Sequence, residues 1–257
     1  MNPKVLKRKA KLFMRSLGLE VTQLRPRGQE NFPGYVEDEF RQLYAKYHTT
    51  SMVPWSGLYA AYKAARYVID ANISGDIVEC GVWKGGCSAL MMETFKAAGQ
   101  EDRIFHLYDT FEGMSEPTAV DVHFSGAQNA LKQYKEKEKR GKKWSHGPLE
   151  EAKATIERSG YPQENIKIIQ GDVIKTLPQN VPQSIALLRL DTDWYESTKA
   201  EMDHLYPVLQ NGGVFLCDDY GAWKGSYDAV HEYFEEHAIK MRLNIDTSYG
   251  GATGVKP

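Results

Sequence analysis

The stretch that decides the fold reads DIVECGVWKGGCS and covers residues 76–88. A short β-rich run carries Glu79 near its end, Gly81 permits a tight turn, and two more glycines precede a helix-length segment. A strand that turns over glycines into a helix lets the backbone approach a ligand at the helix start. The GxGxxG spacing of a dinucleotide site is missing, because three residues with side chains follow Gly81. We therefore predict the first unit of a ligand-binding α/β sheet.

The same order of strand and helix continues along the chain. Short apolar runs alternate with helix-length segments, which predicts right-handed crossovers and a parallel sheet. Two last runs, 240–246 and 252–256, are joined by a glycine-containing turn and predict a closing hairpin with one antiparallel strand. The prediction is an α/β fold with a doubly wound, seven-stranded, mostly parallel sheet, whose parallel strands are residues 76–80, 103–109, 165–172, 184–191 and 212–219.

The chain divides into two predicted parts. Residues 1–54 are expected to form an N-terminal helical extension and residues 55–257 the main domain, with a lid inserted at about residues 110–147. In the extension, apolar residues recur at helical spacing among lysines and arginines, at Leu6, Ala10, Phe13 and Leu17. Such a basic amphipathic helix lies on an anionic membrane surface, docks on a partner, or packs as an ordinary terminal helix.

The composition excludes some functional classes. A formal net charge of −2 is unlike that of a general nucleic-acid binder, so we predict no nucleic-acid partner. We find no apolar run long enough to span a bilayer and expect no integral membrane association. Cys80, Cys87 and Cys217 fall in apolar strands or helix starts, so we predict buried free thiols in a reducing compartment, hence a cytoplasmic location.

Each of the five predicted parallel strands ends in a carboxylate. In open α/β sheets, ligands bind outside this edge of the sheet. Carboxylates at all five strand ends require partners such as ribose hydroxyls, an amino group or a cation. Asp109, about 30 residues after Glu79, either accepts bonds from ribose hydroxyls or caps a helix. The strand-end acids are Glu79, Asp109, Asp172, Asp191 with Asp193, and Asp218 with Asp219.

Two of these strands predict a metal site. Asp191, Asp218 and Asp219 end neighbouring strands of the predicted sheet and can converge although they are far apart in sequence. Three carboxylates without a nearby cysteine form an all-oxygen set that suits Mg²⁺, Ca²⁺ or Mn²⁺. The alternatives are a helix cap for one aspartate and a salt bridge to Arg189 or Lys224 for another. A bound metal would lower the pKa of an acceptor hydroxyl, and a carboxylate beside it could take the proton.

Five segments together resemble the macrocin O-methyltransferase (TylF/MycF) family over about residues 45–235: ECGVWKGGCS, LYDTFEGM, LLRLDTDWYEST, LYPVLQNGGV and DDYG. The resemblance implies a class I methyltransferase, Rossmann-like fold and methyl transfer from S-adenosylmethionine to a sugar hydroxyl of a glycoside or secondary metabolite, such as an antibiotic. It implies Mg²⁺ held by Asp191, Asp218 and Asp219, with Asp191 also the general base. It further favours a homo-oligomer.

The resemblance also implies a set of cofactor contacts. Glu79 and Gly81 would contact the amino-acid end of S-adenosylmethionine, Asp109 the ribose, and Asp172 would flank the adenine. The segment HTTSMVPWSGLYA resembles the part of the family that covers the cofactor. The remaining expected cofactor contacts, all from these segments, are Met52, Ser56, Gly85, Ser88 and Thr110.

Several alternatives stay open at this point. His146, within the predicted lid, is either a second candidate base, since neutral imidazole accepts protons at physiological pH, or an ordinary surface histidine. The other functions are catechol-type O-methylation of a small molecule and a non-catalytic protein that binds S-adenosylmethionine as a scaffold. A nicotinamide oxidoreductase is disfavoured by the missing GxGxxG spacing and by the paired Asp218 and Asp219.

Overall fold

The computed structural model describes residues 28, 30–126 and 129–257. Residues 34–257 form one structural unit, and residues 1–33 are a separate one. The predicted basic helix around residues 6–17 lies outside the described residues, so that prediction stays untested. The division at residue 54 also stays a prediction, although residues 38–54 belong to the same structural unit as the domain that follows.

A seven-stranded sheet organises residues 34–257. Its spatial order is β3-β2-β1-β4-β5-β7-β6, so the chain reverses direction across the sheet between β1 and β4. Neighbouring strands pair in parallel except for β7, which is antiparallel to both β5 and β6. This confirms the predicted doubly wound α/β sheet and its closing hairpin. The strands are β1 Asp76–Cys80, β2 Phe105–Asp109, β3 Ile166–Gln170, β4 Ile185–Leu190, β5 Leu209–Cys217, β6 Asn244–Ile245 and β7 Ala252–Val255.

Helices cover both faces of the sheet. The described helices are α1 Asp38–Tyr47, α2 Trp55–Asp70, α3 Gly86–Ala97, α4 Ala130–Lys139, α5 Leu149–Glu157, α6 Val173–Asn180, α7 Tyr195–Leu205 and α8 Lys224–Glu236. Helices α2 and α3 pack together with α1 and α5, while α6, α7 and α8 pack in sequence on the other side. Across the described residues, no helix combines the length and the apolar character that a membrane span requires.

The central strands are buried on both faces, so their sequences are nearly continuous apolar runs. Every residue of β4, IALLRL, is buried, and this run includes one charged side chain, Arg189, which is 2% exposed. All three cysteines are free and buried, as predicted. A charge in the middle of an apolar strand requires close partners, and these partners define the site described next.

The segment between β2 and α5 is packed against the carboxyl ends of the strands. Asp121, 1% exposed, accepts bonds from Thr118 N at 2.7 Å and from Tyr195 N, at the start of α7, at 2.8 Å. The indole rings of Trp194 and Trp223 meet edge to face with centroids 5.0 Å apart, and Trp144 packs on both. The inserted segment therefore lies over the edge where the strand-end acids were expected.

Candidate active site

The loop after β1 is shaped by glycine. Gly81 has φ +89°, and a Cβ at this position would collide with the carbonyl oxygen of Asp191 at the end of β4. Gly85 has φ +79° and caps α3. Because a side chain at residue 81 would separate β1 from β4, the loop can cross the end of β4 only with glycine there.

Asp109 holds this loop in place. Its Oδ2 accepts bonds from Val82 N at 2.8 Å and Trp83 N at 2.7 Å, and its Oδ1 accepts one from Phe111 N at 2.6 Å. Burial raises the pKa of Asp109, and these backbone donors oppose that shift. Both carboxylate oxygens thus organise the turn. The hydroxyls of a bound ribose could donate to Asp109 only by sharing these two oxygens with the backbone N–H groups.

A pocket opens between this loop, the end of β4 and the inserted segment. The sequence-predicted residues that line it are Met52, Gly81, Asp109, Thr110, Asp172 and Asp191. The pocket has a volume of about 110 Å³, whereas sites for drug-sized ligands measure about 300–1,000 Å³. The inserted-segment residues 113–115 and 145 also line the pocket and limit its volume.

Four other predicted cofactor residues lie outside the pocket lining. Ser56 lies in a neighbouring groove, where its hydroxyl is 3.3 Å from that of Ser248. Gly85 is the N-cap residue of α3. Glu79 is 1% exposed, and its carboxylate accepts bonds from the Ser88 hydroxyl and from Arg189 Nη1 at 2.7 Å. Glu79 and Ser88 are thus joined to each other beneath the pocket, where they support Arg189.

Arg189 lies between two of the predicted metal ligands. Its Nη2 is 2.8 Å from Asp191 Oδ2 and 3.0 Å from Asp218 Oδ1, although neither contact has hydrogen-bond geometry. Sequence analysis considered a salt bridge to Arg189 for one aspartate. In the structure, Arg189 forms salt bridges with two, Asp191 and Asp218. Lys224, the other cation considered, pairs with Asp228 instead.

The remaining two acids, Asp193 and Asp219, are neighbours, and Asp219 Oδ2 is buried without a hydrogen-bond partner. Burial raises the pKa of Asp219 well above its usual value, and the neighbouring carboxylates Asp193 and Asp218 add to the effect. Burial, together with the charge of Asp191, raises the pKa of Asp193 to about 7. Neighbouring carboxyl groups oppose each other's ionisation, so this pair retains a proton more readily than either group would alone.

The charges of the site do not balance. Three carboxyl groups, those of Glu79, Asp191 and Asp218, contact the guanidinium of Arg189, and those of Asp193 and Asp219 lie next to these aspartates. The excess negative charge must be neutralised by protons or by a bound cation. The all-oxygen donor set and the unpartnered Asp219 oxygen fit a hard divalent cation. In the part of the chain that the structure describes, no three such side chains form a ligand shell; Asp191 and Asp218 would first have to turn away from Arg189.

His146 is not brought to these acids. Its side chain is exposed, its backbone oxygen accepts a bond from Trp83 Nε1 at 3.1 Å, and its imidazole is close enough to Glu112 to act on that charge. The structure therefore places His146 on the outer side of the inserted segment, and its neighbour Ser145 lines the pocket.

Sequence analysis missed Glu201. This glutamate is 0% exposed, accepts a bond from the Thr192 hydroxyl at 2.9 Å, and has a second oxygen without a partner. Burial raises its pKa to about 8. Helical spacing could have revealed it, since Glu201 is three residues after Thr198 and four before Leu205, both of which are buried. Through Thr192, it supports the loop that carries Asp191 and Asp193.

A family model described as Macrocin-O-methyltransferase (TylF) matches residues 37–249. The chain belongs to this family. The resemblance predicted from five short segments is thereby confirmed, and this member of the TylF family carries the acid-rich strand ends described above.

Three relatives support the assignment. This TylF-family protein is 35% identical over 176 residues to the 8-demethyl-8-(2,3-dimethoxy-alpha-L-rhamnosyl)-tetracenomycin-C 4'-O-methyltransferase of Streptomyces olivaceus, covering 67% of this chain and 62% of the relative. It is 32% identical over 176 residues to the mycinamicin III 3''-O-methyltransferase of Micromonospora griseorubida, covering 67% and 65%. It is 31% identical over 208 residues to the demethyldecarbamoylnovobiocin O-methyltransferase of Streptomyces niveus, covering 81% and 76%. The matches thus span less than two thirds of the first two relatives.

Solved structures agree on the fold. The O-methyltransferase NovP superposes with a TM-score of 0.69 at 28% sequence identity, covering 80% of this chain and 82% of NovP. CalS11, a calicheamicin methyltransferase, superposes with a TM-score of 0.60, covering 92% of this chain and 98% of CalS11. At 19% identity the second comparison supports the α/β methyltransferase fold alone.

Proposed function

We propose that the protein transfers a methyl group from S-adenosylmethionine to a sugar hydroxyl of a glycoside or secondary metabolite, with the assistance of Mg²⁺ or a similar cation. One observation carries the proposal: in a member of this family, a cluster of five carboxyl groups, three of them in contact with a single guanidinium, lies at the edge of the sheet where ligands bind. The names of the relatives, which include a dimethoxy-rhamnosyl tetracenomycin and mycinamicin III, favour a sugar on a natural product as the acceptor.

The proposed reaction assigns distinct tasks to the residues. The acceptor oxygen forms a bond to the methyl carbon as the carbon–sulfur bond of the donor breaks, and a carboxylate takes the hydroxyl proton. Asp191 is the proposed base, and Asp193 is a second candidate, because it lines the same pocket without a contact to Arg189. The walls of the pocket would align the two reactants.

Asp191, Asp218 and Asp219 are the proposed holders of the cation. Their oxygens suit a hard ion, and the unpartnered Asp219 Oδ2 provides one position for it. A bound cation would supply Lewis acidity and offset the excess negative charge. Gly81, Asp109, Thr110, Asp172 and Met52 are the proposed walls of the donor site.

The experiment combines binding with turnover. Calorimetric titration of S-adenosylmethionine with and without Mg²⁺ should show binding in both cases, and methyl transfer to a panel of rhamnosides should stop after EDTA treatment and resume when Mg²⁺ is restored. Turnover that EDTA leaves unchanged would refute the role of the metal. A faster reaction with planar catechols than with any glycoside would contradict the proposed acceptor class.

Two variants separate the proposed roles of the aspartates. Asp191→Asn should abolish turnover and leave the affinity for S-adenosylmethionine nearly unchanged. Asp172→Asn, at the other end of the pocket, should weaken cofactor binding and slow turnover only in proportion. Equal losses of binding and turnover in Asp191→Asn would instead identify a structural aspartate.

We also propose a cytoplasmic, homo-oligomeric enzyme. The three buried free thiols support a reducing compartment. Sedimentation velocity of the full chain tests the oligomer, and a monomer at micromolar concentration would contradict it.

A further inference from the structure

A second cavity lies next to the pocket and has no role in the function proposed above. It is a groove between α2, the sheet face near β5 and β7, and the turn that joins β6 to β7. We call it the aromatic groove, and it is defined by Trp55, Tyr59, Tyr67, Val214, Tyr249 and Val255. Its volume of about 540 Å³ lies within the range of small-molecule sites.

The end of the groove nearest the acids is firmly built. The Tyr249 ring fits against Gly57 of α2, where a Cβ would lie 3.0 Å from Tyr249 Cζ and 3.1 Å from its hydroxyl oxygen, and a Cβ at Gly251 would collide with the ring. Ser248 is within 3.3 Å of the Ser56 hydroxyl, so the turn is held on the first turn of α2. These contacts fix the position of the Tyr249 phenol.

The groove and the proposed reaction site share this wall. Gly221 N donates to Gly250 O at 2.7 Å, which joins the β6–β7 turn to the loop that follows Asp218 and Asp219. The Tyr249 phenol is close enough to Asp218 for that charge to act on it. On the other side, the segment from residue 52 to residue 56 separates the two cavities, with Met52 lining the pocket and Ser56 the groove.

The charges around the groove indicate an uncharged occupant. Lys63 Nζ, at its rim, is paired with Glu37 at 2.9 Å, and the Tyr59 hydroxyl donates to the same carboxylate at 2.9 Å. Asp246 accepts bonds from Ser248 N at 2.8 Å and from the Ser248 hydroxyl at 2.6 Å. Aromatic rings and aliphatic side chains make up most of the remaining lining, with Tyr67 41% and Val255 43% exposed, and the neutral side chains of Asn244 and Thr253 add hydrogen-bonding groups. Such a surface binds ring systems by stacking and burial.

We propose that the aromatic groove binds the uncharged ring system to which the methylated sugar is attached, so that the acceptor lies across Tyr249 with its sugar at the acidic edge. This inference rests on the proposed function. The side chains that line the groove, and not those that line the pocket, would then determine which of several acceptors with the same sugar binds most tightly.

The test uses two probes and a matched pair of variants. The probes are 4-methylumbelliferyl α-L-rhamnoside, which carries an aromatic ring system, and methyl α-L-rhamnoside, which does not. Ala60→Phe fills the groove, because Ala60 lines it, while Ala71→Phe adds the same side chain at the exposed end of α2 outside the groove. Binding is measured by calorimetry on the full chain in the presence of S-adenosylhomocysteine.

The wild-type protein and Ala71→Phe should bind the aromatic probe at least about tenfold more tightly than methyl rhamnoside, and Ala60→Phe should lose most of that advantage. The affinity of Ala60→Phe for S-adenosylhomocysteine should stay unchanged. Tyr67→Ala, which truncates an exposed wall, serves as the second variant if Ala60→Phe does not fold, and should weaken the aromatic probe about three- to tenfold.

Equal affinity of the wild-type protein for the two probes, including no binding of either, overturns the proposal. A normal Kd for the aromatic probe in Ala60→Phe, with a change from oligomer to monomer in sedimentation, also overturns it and assigns the groove to contacts between copies of the chain. Because these measurements involve no methyl transfer, loss of the aromatic probe in Ala60→Phe would support the groove even if the proposed reaction failed in turnover assays.

Discussion

The two edges of the sheet differ in how completely their polar groups are paired. At the amino-terminal edge, His106 Nε2 is 2.8 Å from Asp76 Oδ2, and Arg103 donates to Gly75 O at 2.9 Å and to Gln100 Oε1 at 2.8 Å. The carboxyl-terminal edge is different. Within the described part of residues 34–257, the buried side-chain atoms without a hydrogen-bond partner are Arg189 Nη2, Glu201 Oε2 and Asp219 Oδ2, and all belong to this edge or support it.

This difference separates stability from function. Unpaired buried polar atoms cost free energy, so each of them requires an explanation such as an ordered water, a ligand or a proton. The paired edge consists of local contacts that the fold needs for itself. The other edge holds five carboxyl groups and one guanidinium, and its excess negative charge must be neutralised by protons or by a bound cation.

The largest expected effect is on the stability of the protein and comes from removing the guanidinium of Arg189 at the carboxyl-terminal edge. Arg189→Met should lower the free energy of unfolding by about 3–5 kcal/mol, because it leaves Glu79, Asp191 and Asp218 buried without their shared partner. Urea unfolding followed by circular dichroism measures the change. Arg103→Met at the opposite edge is the control and should cost about 1 kcal/mol. Equal losses in the two variants would contradict the contrast between the edges.

A substitution of Asp219 should raise the stability of the protein and lower its activity. Asp219→Asn replaces a buried carboxyl group, whose ionisation is opposed by burial and by the neighbouring Asp193 and Asp218, with a neutral amide, so its melting temperature should rise, while turnover should fall by about 10²–10³-fold. Thermal unfolding and initial-rate assays on the same preparation test both. A variant that is less stable and fully active would show that Asp219 belongs to the framework.

The buried carboxyl group of Glu201 should make the stability of the protein depend on pH. Its pKa is raised to about 8 in the folded protein by burial, so between about pH 4.5 and pH 8 the folded state binds more protons than the unfolded state. This contribution is fully present at low pH and is lost as the pH rises through 8. Glu201→Gln should therefore gain stability relative to the wild type by at least about 1 kcal/mol between pH 5 and pH 8.

The measurement for Glu201 is a series of urea unfolding curves at five pH values. Glu150→Gln, an exposed glutamate of α5, is the control and should show a constant difference from the wild type. A parallel pH dependence of Glu201→Gln and wild type would mean that Glu201 is ionised in the folded protein.

The smallest effect is expected at the paired edge. Asp76→Ala should cost about 1–2 kcal/mol, because it leaves the nearly buried His106 imidazole without its partner, and should leave kcat and KM unchanged. Chemical unfolding and steady-state kinetics check the two halves of this statement. A large loss of kcat in Asp76→Ala would show that the edges are coupled through the sheet.

Sequence analysis was most successful where the signal is local. The strands, the hairpin and the strand-end acids follow from apolar runs and turn residues, and the structure confirms the sheet. Gly81, Asp109 and Asp191 line the pocket, and their roles stay predictions. Ser56 and His146 do not line it, since helix and lid packing rather than sequence spacing decides which side of a segment faces a cavity.

The sequence by itself determined the α/β class, the order of elements and the carboxylate at each parallel strand end, because these depend on neighbouring residues and on the handedness of the crossovers. Only the tertiary structure decided how those acids are paired. Strand register sets Glu79 directly beside Arg189, and the same guanidinium reaches Asp191 and Asp218 across two strand ends. No local pattern encodes that contact, since it joins residues about 110 positions apart through a buried charge whose cost depends on every neighbour around it.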